Sequence, residues 1–172
     1  MSYKPFTVLV LCTGNSARSI LGEALFNHLG QSASGGQVQA FSAGSKPKGV
    51  PHPGAFRLLA RRRIDTAGYR SKSWNEFTGP GAPQIDLAIT VCGNAAGEAC
   101  PVFFGSPLEA HWGLPDPAYE IGTEADTDAA FEETWHLLEM RVRAFFALDR
   151  MAIDTPAFQA ALTEIGAMEG AA

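Results

Sequence analysis

Thr7-Val8-Leu9-Val10-Leu11 runs directly into the polar octet Cys12-Thr13-Gly14-Asn15-Ser16-Ala17-Arg18-Ser19, after which Leu21, Leu25, Phe26 and Leu29 recur at helical spacing up to Gly30. An unbroken β-branched and aliphatic run is the pattern of a strand buried on both faces of a parallel sheet, and the 3–4 spacing is that of a helix with one apolar side. Strand, tight polar loop and helix therefore open the chain, with Gly14-Asn15 as the turn. The alternation continues. Val38–Ala43 reads as a second strand, Phe56, Leu58, Leu59 and Ile64 sit on a helix opened by Pro53, and Ile85–Val91 reads as a third buried strand. Phe131, Trp135, Leu138, Val142 and Phe145 form one stripe of a helix over about 127–148, and Thr155–Met168 reads as a terminal helix. Between Cys92 and Pro117 lie three prolines and four glycines, with a short strand near Ala110-His111-Trp112 as the only regular candidate. Such alternation predicts an α/β fold, a parallel sheet flanked by helices, with ligands at the carboxyl ends of the strands.

With 172 residues, 46% of them hydrophobic, the chain suffices for one core and falls short of two ordinary domains. It carries no apolar stretch long enough to span a membrane and no secretion signal after Phe6–Cys12. Three cysteines at 12, 92 and 100 do not make a disulfide framework, which points to a reducing cytoplasm and leaves the thiols for chemistry. The net charge of −5 argues against nucleic-acid and acidic-membrane partners but conceals an asymmetry: ten Lys/Arg against two acids before residue 73, then twelve acids and no Lys/Arg in 73–140. An anion site belongs in the first part. Arg61, Arg62 and Arg63 read more simply as a solvated helix face.

The octet carries that site. Backbone N–H groups at a helix N-terminus form an anion cradle in a favourable dipole field, and Arg18 adds a bidentate fork for a tetrahedral oxyanion. The same field is expected to lower the Cys12 thiol pKa, with the Ser19 hydroxyl as a donor to the sulfur, so that nucleophile and anion holder form one structure. Thr13, Gly14, Asn15, Ser16, Ala17, Arg18 and Ser19 are the candidate oxyanion binders. The bland alternative, a buried Cys12 and a surface Arg18, leaves the Gly-Asn turn and the surrounding hydroxyls unexplained.

VLCTGNSARS resembles the active-site loop of the low-molecular-weight protein tyrosine phosphatase fold, and specifically the arsenate reductases built on it; FSAGSKPKGV, RSKSWNEF, ITVCGNAAGEACP and HWGLPDPA extend the resemblance to about residue 147. The resemblance implies a four-stranded parallel sheet, a domain over 1–150 with 151–172 as its helical extension, and no cofactor or metal. It also implies Cys12 as nucleophile, Arg18 with the loop amides as oxyanion binder, and Asp116 as general acid, although Asp-Pro alone is also a common turn starter. Arsenate is the implied substrate, with phosphate or sulfate competing, and thioredoxin or glutaredoxin with glutathione the implied reductant. A phosphatase needs no second thiol, whereas a reductase must move two electrons from sulfur to arsenic. Cys92 would attack the Cys12 adduct and Cys100 would resolve the resulting disulfide. Buried structural thiols, or a zinc site with His111, are the alternatives for Cys92 and Cys100. A phosphatase and a non-catalytic arsenic sensor are the alternatives for the whole chain. Some relatives bind potassium through an Asn, a Glu, a Ser and an Asp. Here Asn15, Glu23 and Ser42 match, but Lys72 stands at the Asp position, so potassium is not expected. Ser19-Ile20 in place of Ser-Pro, and Asp116 followed by Pro-Ala rather than an aromatic pair, favour the reductase.

Overall fold

Residues Phe6–Cys12 form β1, whose side chains alternate between two buried clusters. Val8, Val10 and Cys12 face one, Leu9 and Leu11 the other, which is why the run is apolar throughout. The computed structural model describes residues 4–93, 97–98, 101–119 and 122–172. Within them β2 (Val38–Gly44), β3 (Leu87–Thr90) and β4 (Leu108–His111) join β1 in a four-stranded, fully parallel sheet of order β2-β1-β3-β4. The predicted α/β fold and its four-stranded sheet are observed. The third strand is shorter than its buried run, because the Ile85 N–H turns away to the Phe104 carbonyl at 2.8 Å. The fourth begins two residues before the expected Ala110, with Glu109 and His111 exposed at the sheet edge.

Four α-helices are described: α1 (Arg18–Ala33), α2 (Pro53–Arg61), α3 (Glu124–Phe146) and α4 (Pro156–Gly166). All contribute to the larger cluster, which holds Leu21, Leu25, Phe26, Leu58, Phe131, Phe145 and Leu162. On the opposite face, Phe77 of the 3₁₀ turn Trp74–Phe77, Ile85 and Phe103 cover the sheet. The charge asymmetry partly cancels across the α2–α3 contact, where Arg57 pairs with Asp128 at 2.7 Å and Arg61 and Arg62 with Glu132 at 3.0 and 2.6 Å. Arg62 also lies over the Trp135 ring. These two arginines therefore dock a helix as well as face solvent.

Phe145 is fully buried among Phe6, Phe26 and Phe146, with ring centroids 5.9, 5.4 and 5.5 Å away. Phe145→Ala is expected to cost about 3–5 kcal/mol of stability, the usual loss for a truncated core aromatic, measured as a shift of the urea midpoint.

Candidate active site

Parallel pairing sets the site. Leu11 lies opposite Thr90, and the Val91 N–H reaches the Leu11 carbonyl at 2.9 Å, so Cys12 and Cys92 leave neighbouring strands at the same carboxyl edge. Both are buried thiols. Cys100 lies outside the described residues.

The loop after Cys12 is held from behind. Asn15 is fully buried with φ +43°, a left-handed conformation that asparagine tolerates better than most residues. Its side chain donates to Ser19 Oγ at 2.9 Å and Ser42 Oγ at 3.0 Å, and accepts the Lys72 N–H at 2.8 Å. From the β2–α2 connection, the N–H groups of Lys46, Lys48 and His52 bind the carbonyls of Thr13, Gly14 and Ser16 at 2.9, 2.9 and 2.8 Å. Gly44 lies so close beneath the loop that a Cβ there would overlap the Thr13 carbonyl oxygen.

The loop encloses a cleft of about 160 Å³ lined by Cys12, Thr13, Gly14, Ser16, Ala17, Arg18, Lys46, Lys48, Cys92, Asp116 and Tyr119. Asn15 and Ser19, also candidate oxyanion binders, lie fully buried behind it, where their side chains shape the loop. No side chain caps α1 at Ala17, whereas His52, Thr123 and Thr155 cap α2, α3 and α4. The first N–H groups of α1 are thus left without a side-chain cap at the cleft, the arrangement from which helix N-termini take up anions. Arg18 Nη2 meets Asp116 Oδ2 at 3.0 Å and Nη1 donates to the Leu114 carbonyl at 2.8 Å, while its buried Nε has no partner. Asp116 also opens a turn, accepting the Ala118 N–H at 3.0 Å, so it is a turn starter placed over the cleft. Thr13 Oγ1 lies 3.7 Å from Cys92 Sγ and donates to Glu98 at 3.3 Å.

One expectation is corrected. The Cys12 thiol is pushed up, by its hydrogen bond with Cys92 first and by burial second, while Arg18 and the Asn15 N–H pull it down. Two neighbouring sulfurs titrate as a pair, and a second thiolate forms against the charge of the first.

Lys46, Lys48, His52 and Tyr119 were not among the residues expected from sequence to shape the site. The lysines stand in FSAGSKPKGV, where nothing local distinguishes a cleft lysine from a surface one. His111, the histidine of the zinc alternative, pairs its Nδ1 with Thr90 Oγ1 at 2.8 Å, and Cys100, another ligand of that alternative, lies outside the described residues.

With this geometry, comparison with known proteins places the chain. The profile of the low molecular weight phosphotyrosine protein phosphatase family matches residues 7–155, and the chain belongs to that family. An arsenate reductase of Bacillus licheniformis is 33% identical over 141 residues, 81% of this chain and 94% of the relative. The structure of the arsenate reductase from Archaeoglobus fulgidus superposes with a TM-score of 0.62 at 26% identity, covering 82% of this chain and 99% of that one. The thioredoxin-dependent arsenate reductase of Corynebacterium glutamicum shares the fold, with a TM-score of 0.59 at 21% identity over 85% of this chain and 62% of that one.

Behind the loop, Ser42 Oγ donates to Glu23 Oε2 at 2.5 Å and Lys72 Nζ lies 3.9 Å from the same oxygen. A potassium ion does not fit these residues, since the Lys72 ammonium already supplies positive charge to the buried Glu23. Burial pushes the Glu23 carboxyl up, opposed by Lys72 and the Ser42 hydroxyl, and burial pushes Lys72 down. Lys72→Met removes the opposing cation and raises the folded-state pKa of Glu23 further. A carboxyl raised on folding contributes stability below its unfolded pKa and loses it as pH rises through the folded one. Stability of the variant should therefore fall relative to wild type as pH rises above the ordinary carboxylate range, by roughly 3–5 kcal/mol when fully developed, as measured by urea titration at each pH.

Proposed function

We propose that the chain is an arsenate reductase in which Cys12, Arg18, Asp116 and Cys92 carry the first two chemical steps. The observation that carries the reading is the placing of two buried thiols, Cys12 and Cys92, in the lining of one oxyanion cleft, an arrangement a hydrolytic phosphatase does not require. The arsenate reductase relatives support it.

An incoming arsenate takes Arg18 over from Asp116 and its oxygens accept the loop N–H groups and the unpartnered Arg18 Nε. The Cys12 thiolate attacks arsenic, and Asp116 delivers a proton to the oxygen that leaves as water. Cys92 then attacks Cys12 Sγ. The sulfur–arsenic bond breaks with its electron pair remaining on arsenic, so arsenic falls from +5 to +3, arsenite leaves, and Cys12 and Cys92 are joined as a disulfide. Cys100, in the segment that follows Cys92, attacks Cys92 to give a Cys92–Cys100 disulfide and restore the Cys12 thiol. A dithiol protein of the thioredoxin class then reduces that disulfide; the thioredoxin dependence of the Corynebacterium glutamicum neighbour supports this choice over glutathione with glutaredoxin.

Arsenate-dependent turnover with each reductant supplied separately tests the reading, and activity with thioredoxin is expected. Asp116→Asn should slow the first chemical step by roughly 10²- to 10⁴-fold with a smaller effect on oxyanion affinity, and Cys12→Ser should abolish it. Cys92→Ser should stop sustained turnover. If the Cys92→Ser/Cys100→Ser double variant reduces arsenate as wild type does, the relay is wrong and hydrolytic chemistry becomes the better reading.

A further inference from the structure

Beyond residue 155, where the family match ends, the chain continues into α4 and residues 167–172, and this segment packs against the loop that carries Asp116. Leu162 offers its carbonyl to the buried Trp112 indole N–H at 3.0 Å. Gly166 approaches so closely that a Cβ would overlap the His111 carbonyl oxygen. The Ala172 N–H reaches the Gly113 carbonyl at 3.0 Å, and a Cβ on Gly113 would overlap the Ala172 oxygen. The fully buried Arg141 of α3 fastens the segment from the far side, donating from Nη2 to the Met168 and Glu169 carbonyls at 3.0 and 3.1 Å and from Nη1 to the Leu137 carbonyl at 2.9 Å.

The residues gripped in this way, 111–113, immediately precede the two that hold Arg18. Leu114 gives its carbonyl to Arg18 and Asp116 its carboxylate. On the inner side Trp112 and Leu114 are tied to β3 by N–H bonds to the Thr90 and Val91 carbonyls at 2.8 and 3.1 Å. We infer that residues 156–172 brace the acid loop from outside, and that Gly166 and Arg141 are positioning residues which set where Asp116 and the Leu114 carbonyl stand relative to Arg18. This rests on the proposed role of Asp116. Gly166 is specific in the role because any side chain there pushes α4 off the His111 carbonyl, and Arg141 because its fork is the clasp on the segment's last turn.

The test uses the full-length chain with Gly166→Ala and, as a second variant, Arg141→Met. Leu29→Ala, a core truncation at the far end of α1, is the control for general loss of stability. Amide hydrogen exchange at Trp112 and Leu114 should quicken about tenfold in both brace variants and remain near wild type in the control. Thiol loss after one equivalent of arsenate should slow by roughly ten- to a hundredfold in the brace variants, the scale of an ångström of misplacement. Protection of Cys12 from alkylation by inorganic phosphate, which reports the anion loop itself, should stay within about twofold in both brace variants. Unchanged exchange at Trp112 and Leu114, or equal slowing in Leu29→Ala, overturns the brace. If wild-type protein leaves arsenate unreduced, the functional reading fails, and the exchange data still decide whether the segment holds the loop.

Discussion

Asn15 is the residue on which the site's shape depends. Its backbone sits in the left-handed region while its amide ties Ser19 of α1, Ser42 of β2 and the Lys72 N–H into one buried unit. Those bonds hold a backbone that most residues resist, and hold it where its own N–H faces the Cys12 sulfur. Removal of the amide would leave two buried hydroxyls and an N–H short of a partner each, and the loop would lose the geometry that aims its N–H groups inward.

From that loop the remaining chemistry follows by adjacency. β1 and β3 are neighbours, so the second thiol arrives beside the first without any dedicated device. The cost is electrostatic: the neighbouring Cys92 sulfur and burial push the Cys12 thiol up, against the pull of Arg18 and the Asn15 N–H. A site of this kind suits a reaction in which the sulfurs act in turn, one as nucleophile on arsenic and the other as nucleophile on the first. Asp116 complements it, pairing with Arg18 Nη2 at 3.0 Å.

Much of this was legible in the chain. The unbroken Thr7–Leu11 run gave away a strand covered on both faces, and Cys12 to Arg18 gave away the cradle, because strand burial and loop composition are local properties. The edge strand was displaced because Glu109 and His111 face solvent and dilute the apolar signal. The direction of the Cys12 shift was missed because it depends on a residue eighty positions away, and the pairing of Arg61 and Arg62 with α3 because a charge run reads alike whether it meets water or an acidic helix. Gly113 and Gly166 could not be read at all: their meaning is a close approach of distant backbone, which leaves no mark on neighbouring residues.

In the proposed relay two electrons leave the protein's own thiols for the bound oxyanion. Mass spectrometry of the fully reduced chain after one equivalent of arsenate, with no added reductant, tests it most directly. The relay predicts loss of two thiols for each arsenite released, with the peptides of Cys92 and Cys100 joined. Arsenate left unreduced with all three thiols still open to alkylation would contradict it.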